Sequence, residues 1–343
     1  MSTSPARPPA AGPSSDPDVL LGHAREHDRV SLARLLSLVE RGGEPGMAVA
    51  RLAYRADTPY TVGITGAPGA GKSTLTDQLI TVARRGWPGP QPGPEPQPEP
   101  QPANEPIPQL AVLAIDPTSP FSGGAILGDR VRMQQHALDP TVFIRSMATR
   151  GHLGGLALAV PDAVRVLGAV GFPLVIVETV GVGQMEVEVA SAADTTVVVV
   201  TPGWGDSMQA NKAGLLEVAD LFVINKADRP GAREARRDLE QMLDLSQLDG
   251  WRPPIVDTNA LSGEGVDGLW GAIDRHRAHL LESRLLERRR ADRLAHELRR
   301  VLLARSALRI EEVASGEEFA TVVKALAAGE LDPYEAANRL MPG

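Results

Sequence analysis

The sequence predicts an α/β fold, a doubly wound, mainly parallel sheet with helical N-terminal and C-terminal extensions. Three observations predict it. Short apolar runs rich in β-branched residues recur from Tyr60 to Val256 without polar alternation, as strands covered on both faces do. Stretches with helical spacing separate them, and parallel strands need such crossovers. The first run also passes straight into a glycine-rich loop and a helix opening.

Residues 1–17, dominated by Pro, Ser and Ala, are expected to be disordered. Residues 18–56 read as a helical layer, because Leu20, Leu21, Leu32, Leu35, Leu36 and Val39 recur at near-helical spacing. The core domain spans 57–279. It opens with the strand Tyr60–Thr65, followed by Gly66-Ala67-Pro68-Gly69-Ala70-Gly71-Lys72-Ser73 and a helix beginning at Thr74. The octapeptide satisfies G-x-x-x-x-G-K-[ST], and strand, loop and helix are the context that this phosphate-cradling loop requires. Its glycines let the backbone approach an anion, and freed N–H groups with the helix N-terminus surround phosphate with positive partial charge. Lys72 is expected at the β- and γ-phosphates and the Ser73 hydroxyl on Mg²⁺. The core is therefore predicted to be a P-loop NTPase.

Between Trp87 and Pro108 ten prolines alternate mainly with Gly, Gln and Glu. Proline cannot donate a backbone hydrogen bond, so 87–108 reads as an extended inserted loop. A ligand for proline-binding domains is the alternative. The strand Leu110–Ile115 ends at Asp116, and a strand tip at the carboxyl edge suits ligand binding. Val142–Ile144 is the next strand. Leu174–Val177 runs into Glu178-Thr179-Val180-Gly181, a box whose acid would bind Mg²⁺ and whose Gly181 N–H would meet the γ-phosphate. For Glu178 the alternative is a carboxylate merely exposed at a strand end. After Thr196–Val200, the strand Leu221–Ile224 enters Asn225-Lys226-Ala227-Asp228, an N-K-x-D pattern. Guanine presents two neighbouring donors, N1–H and its exocyclic amine, so the acceptor-only carboxylate of Asp228 can take both as a fork. Adenine has an acceptor in place of N1–H. The ligand is thus read as GTP or GDP. Beyond the last strand, Pro254–Val256, Asn259-Ala260-Leu261 is expected to back the base, chiefly through backbone N–H groups.

Residues 280–343 turn helical and charged, with an apolar side of Leu281, Leu285, Leu294, Leu298, Val301 and Leu302. Arg288-Arg289-Arg290 lies among Glu282, Glu287, Asp292 and Glu297, which reads as a solvated face with i,i+4 pairs. Composition points the same way. Aromatic residues make up 3% and the net charge is −8, which argues against a nucleic-acid partner. There is no cysteine, hence no disulfide or thiolate metal site. No apolar stretch approaches membrane-span length and the first residues lack a signal-peptide core, so a cytoplasmic protein without membrane contact is expected.

The P-loop, Glu178-Thr179-Val180-Gly181-Val182-Gly183-Gln184 and Asn225-Lys226-Ala227-Asp228 together resemble the methylmalonyl-CoA mutase-associated GTPases, the MeaB/ArgK family. Ala114-Ile115-Asp116-Pro117-Thr118-Ser119-Pro120, Gly123 to Arg130 and Gly151-His152-Leu153-Gly154-Gly155 carry the resemblance further, over roughly residues 18–270 apart from the insert. It implies a homodimeric GTPase chaperone that gates adenosylcobalamin loading of a cobalamin-dependent acyl-CoA mutase, methylmalonyl-CoA mutase above all, and protects that enzyme. It also implies that the magnesium and hydrolysis carboxylates are Asp116, Asp129 and Glu178. For Asp129 a helix cap is the alternative. Gly203 to Lys212 resembles an additional switch toward the mutase, with Asp206, Gln209 and Lys212 as its polar positions; a helix capped by Asp206 is the alternative. Two departures stand out. Relatives usually carry Ser-Ala-Leu in place of Asn259-Ala260-Leu261, and Arg145 to Arg150 replaces a Pro/Ser-rich segment. Gln184 is a candidate for positioning water, and Arg130, Arg145 and Arg150 are candidate arginine fingers. Two other function classes compete. A GTP-dependent metallochaperone needs soft or imidazole ligands, and here only His23/His27 and His276/His279 are closely spaced. A kinase of transport-system proteins would need a kinase catalytic loop, which the sequence lacks.

Overall fold

The computed structural model describes residues 16–85, 109–117, 136, 138–149, 155–179, 192–204, 218–246 and 250–341, with backbone alone at 116–117, 148–149 and 155–158. Helices α1 (Pro17–Arg25), α2 (Arg29–Arg41) and α3 (Gly43–Ala53) come first. Asp28 starts α2 by accepting hydrogen bonds from the backbone of Val30 at 3.0 Å and Ser31 at 3.2 Å, which satisfies two otherwise orphaned donors. Leu20, Leu21, Leu32, Leu35, Leu36 and Val39 are all buried. Gly46 lets α2 and α3 approach closely, since a Cβ there would stand 2.8 Å from the Leu38 carbonyl oxygen.

Every apolar run read as a strand is one. The strands are β1 (Tyr60–Gly66), β2 (Leu110–Pro117), β3 (Val142–Thr149), β4 (Leu174–Thr179), β5 (Thr195–Val200), β6 (Leu221–Asn225) and β7 (Ile255–Thr258). They form one seven-stranded sheet in the order β3-β2-β4-β1-β5-β6-β7, and every pairing is parallel. Helices α4 (Lys72–Ala83), α5 (Gly155–Val170), α6 (Ala232–Leu245) and α7 (Val266–Glu282) complete the layers.

Strand parity explains the layering. Along β5, Val197 and Val199 pack with α4 and α7, while Val198 and Val200 face α6. Along β4, Leu174 and Ile176 join the α4 and α7 side, while Val175 and Val177 pack with α5 and the N-terminal helices. One face therefore carries α4 and α7; the other carries α1, α2, α3 and α5 at one end and α6 at the other. Both faces are covered, which is why the runs lack polar alternation. Because all seven strands run the same way, their carboxyl ends open on one edge, with β1 at the centre.

The opposite edge corrects the reading of the arginine run. Helix α8 (Leu285–Ala314) crosses beneath the strand starts. Arg290 pairs with Asp194 at 2.7 Å, Arg293 pairs with the same carboxylate, and Arg289 pairs with Asp220 at 2.9 Å. Asp194 and Asp220 directly precede β5 and β6 and are buried. Burial alone would raise their pKa values, but Arg290 and Arg293 hold Asp194 below the usual carboxylate range, and His276 and Arg289 do the same to Asp220. Arg288 stays exposed, so only part of the run is a solvated face. Glu297, read as a local partner of the run, instead takes Arg165 of α5 in two hydrogen bonds of 2.7 and 2.5 Å. The beginning of α8 is thus clamped to both layers.

Beyond that clamp, α8 fully buries no side chain, and Leu298 and Leu302 are more than half exposed. Helices α9 (Glu317–Ala327) and α10 (Pro333–Leu340) pack against each other, and α9 also packs on α8. The helical tail does not begin at 280, which lies inside α7; the break falls at Arg284, in a left-handed conformation. Among the described residues no helix is long and apolar enough to cross a membrane.

Candidate functional site

The carboxyl edge of β1 turns into the P-loop. Gly66 has φ 138° and lies against β5, where a Cβ would come within 2.0 Å of the Val199 carbonyl oxygen. At Gly71, φ is 89° and a Cβ would stand 2.5 Å from Asn225 Nδ2. Both positions exclude any larger residue, one through the sheet and one through the neighbouring loop. The loop closes over its own lysine. Lys72 Nζ donates to the carbonyl oxygens of Gly66 at 2.6 Å and Ala67 at 3.0 Å, at the first turn of α4. Ser73 Oγ donates to Glu178 Oε1 at 2.6 Å, and both residues are buried. The strand-end acid is therefore turned onto the P-loop and not out to water. Its neighbour Thr179 donates to Thr65 Oγ1 at 3.2 Å, joining the ends of β4 and β1.

Asn225, the last residue of β6, links three segments. Its Nδ2 donates to the Ala70 carbonyl oxygen at 2.7 Å, while its Oδ1 accepts from Thr258 Oγ1 at 3.2 Å and from the Ala260 backbone at 3.0 Å. One buried amide thus holds the P-loop, the end of β7 and the loop after it in register. Lys226 sits at φ 60°, a left-handed conformation that costs a residue bearing a Cβ roughly 1–2 kcal/mol. That turn brings Lys226 Nζ back over the P-loop, donating to the Gly69 carbonyl oxygen at 2.7 Å. Asp228 follows in the same turn and is exposed.

These segments enclose a cavity of about 490 Å³. Pro68, Gly69, Gly71, Lys72, Ser73 and Thr74 of the P-loop segment line it, with Glu178 and Thr179; Asn225, Lys226, Arg229, Asn259, Ala260 and Leu261 complete the lining. Distant stretches read separately in the sequence thus meet around one space. Sequence reasoning missed Arg229 and Thr179 as lining residues. Arg229 carried a signal, since it directly follows Asp228 in the same turn, whereas Thr179 was hidden by the acid before it.

Other predicted positions fall elsewhere. Asp116 is the penultimate residue of β2, at the same edge, but its side chain lies outside the described residues, as do Asp129, Gly181, Gln184, Arg130, Arg150 and the switch positions Asp206, Gln209 and Lys212. The insert 87–108 and residues 1–15 lie outside them too. Arg145 is no arginine finger here. It donates to Glu40 and Ser37 at 3.0 Å each and to the Ala33 carbonyl oxygen at 3.3 Å, which anchors β3 to α2. Among the described residues no group of His, Cys, Asp and Glu could by itself hold a metal ion. His276 is committed to the core, with Nδ1 2.8 Å from Thr195 Oγ1 and Nε2 3.2 Å from Asp220.

Comparison with known proteins bears on family and fold. Residues 32–87 and 107–315 match the model of the methylmalonyl-CoA mutase-associated GTPase MeaB. A protein of Pyrococcus abyssi named as a candidate GTPase is 45% identical over 329 residues, covering 94% of this chain and 95% of its own length. GTPase ArgK of Escherichia coli is 35% identical over 287 residues, covering 80% of each chain. Among solved structures, one described as a LAO/AO transport system kinase superposes with a TM-score of 0.66 at 24% identity, covering 96% of this chain and 98% of its own; it shows the fold.

Proposed function

The chain belongs to the family of methylmalonyl-CoA mutase-associated GTPases, and from that premise we propose that it is a GTP-driven chaperone of a cobalamin-dependent acyl-CoA mutase. GTP and GDP are its nucleotides, as the family implies. In the proposed cycle GTP is hydrolysed to GDP and phosphate, and the nucleotide state gates adenosylcobalamin loading and protection of the mutase, with methylmalonyl-CoA mutase as the enzyme served.

The observation that carries the nucleotide half is the double role of Asn225, which ties the phosphate loop directly to the base-side loops across one cavity. Phosphoryl transfer to water needs positioning and charge neutralisation more than covalent chemistry. Lys72 would exchange two neutral carbonyl partners for charged phosphate oxygens, which strengthens its interaction. Asp228 would take the guanine fork. Mg²⁺ fits the donors present: Ser73 Oγ and Glu178 Oε1 are hard oxygens already 2.6 Å apart and buried. Those two residues would hold the ion, with Asp116 and Asp129 as further ligands, and when bound it neutralises phosphate charge. The exposed apolar side of α8, with Leu298 and Leu302, supports pairing of two copies through the C-terminal helices.

The mutase half is tested by size-exclusion chromatography of the protein with purified methylmalonyl-CoA mutase. Co-elution with a non-hydrolysable GTP analogue, changed when GDP replaces it, is the expected result. Independent elution under both nucleotides would remove the chaperone role while leaving the GTPase intact.

A further inference from the structure

The loop after β7 has an unusual hydrogen-bond account. Five successive backbone N–H groups, from Asn259 to Gly263, are engaged inside the protein. Asn259 donates to the Glu264 carbonyl oxygen at 2.9 Å and Ala260 to Asn225 Oδ1 at 3.0 Å. Leu261 and Ser262 donate to Asn259 Oδ1 at 3.1 and 3.4 Å, and Gly263 donates to the Asn259 carbonyl oxygen at 2.9 Å. The backbone donors expected to meet the base are therefore already committed.

One donor group of the loop is not. The two partners of Asn259 Oδ1 are both N–H groups, so the oxygen must face them and the amide cannot be flipped. Its Nδ2 then occupies the other branch, and among the described residues no hydrogen-bond partner is found for it. Asn259 also lines the nucleotide cavity. A purine bound there presents at position 6 an oxygen if it is guanine and an amine if it is adenine. The carboxylate of Asp228 reads positions 1 and 2 only. A fixed donor on the opposite loop would read position 6.

We propose that Asn259 is a specificity-determining residue, whose Nδ2 donates to the 6-oxygen of guanine in place of a backbone N–H. The inference rests on the proposed guanine fork of Asp228. Arg229 also lines the cavity, but it is exposed and no described contact fixes its guanidinium, so it discriminates less. Serine at this position has one oxygen for both tasks, whereas asparagine can cap the loop with its oxygen and donate with its amide nitrogen at the same time.

The test exchanges the donor while keeping the cap. Asn259→Asp retains an oxygen for Leu261 and Ser262 and turns the other branch into an acceptor. Binding of GDP and of 2-aminopurine riboside diphosphate, which lacks the 6-oxygen and with it the N1–H, is measured by titration for the wild type and the variant. The loss of N1–H weakens the analogue in both proteins alike, so the variant-to-wild-type ratio for each nucleotide is the quantity compared. GDP affinity should fall roughly tenfold or more, the loss of one hydrogen bond to a repulsive contact, while the analogue changes less than about twofold. Equal losses for both nucleotides, or no loss for GDP, would overturn the proposal. Asp228→Asn is run beside it. Unchanged GDP affinity in that variant would strike at the fork itself, separately from Asn259.

Discussion

The two edges of the sheet hold their cations in opposite ways. At the carboxyl edge, Lys72 and Lys226 lie on backbone carbonyl oxygens of the P-loop, beside a cavity. At the amino edge, Arg289, Arg290 and Arg293 lie on the carboxylates of Asp194 and Asp220. A neutral carbonyl holds an ammonium less strongly than a phosphate would, whereas a guanidinium on a buried carboxylate already has a charged partner fixed in the fold. One edge is built to receive an anion, and the other has received its own. The same contrast runs through the side chains chosen: flexible lysines where a partner must change, and planar arginines where it must not.

The strongest test of this contrast is Lys72→Ala. Turnover of GTP should fall by about 10²–10³-fold, the usual cost of removing one preorganised charge from a transition state, with the circular dichroism spectrum unchanged. Loss of folded structure instead would mean that the lysine belongs to the scaffold. Next in size is Asp228→Asn, for which GDP should bind about a hundredfold more weakly and xanthosine diphosphate more tightly, because an amide donor suits the extra carbonyl.

At the amino edge the effect should appear in stability and not in binding. Asp194→Asn leaves Arg290 and Arg293 without their anion and should cost about 2–4 kcal/mol at pH 7, somewhat below the buried-pair range of about 3–5 kcal/mol because both guanidiniums keep some solvent contact. Nucleotide affinity should stay within about twofold. The pH dependence has a definite sign. The folded pKa of Asp194 lies below its unfolded value, so its contribution is present above about pH 4 and disappears as pH falls through the folded value. Urea unfolding at pH 7 and pH 3 should therefore show the difference between wild type and variant shrinking in acid. A constant difference would remove the electrostatic explanation.

The smallest expected effect concerns Asp274 of α7. Burial pushes its carboxyl up to about 6 despite the neighbouring Arg277, and its Oδ1 finds no partner among the described residues. A raised acid opposes folding once ionised, fully above pH 6 and not at all below about pH 4. Asp274→Asn should then stabilise by about 1 kcal/mol at pH 8, discounted for its half-exposure, and by nothing at pH 4. Equal stability at both pH values would leave the burial argument without support.

Much of the architecture was legible because it is local. A β-branched run without alternation suits a strand with both faces covered, and all seven runs are strands of one parallel sheet, with β1, β4, β5 and β6 buried throughout. The P-loop announces itself by glycines that no other residue could replace, as the approaches at Gly66 and Gly71 show. What was not legible depended on partners far away in the chain. The arginine run had acids nearby in sequence, so i,i+4 pairing was the natural reading, yet Arg290 reaches Asp194 and Glu297 reaches Arg165. Arg145, read as a candidate arginine finger, points to α2. The engaged N–H groups around Asn259 could not be counted before the loop had a shape.

By itself, then, the amino-acid order determined the strands and the phosphate loop and carried the expectation of guanine, because each is read from contiguous residues. Tertiary structure alone decided which cations rest on carbonyl oxygens and which on buried carboxylates, and which donors of the loop after β7 are already engaged. Those outcomes turn on whether a polar group finds its partner inside the fold, and that partner can lie more than a hundred residues away.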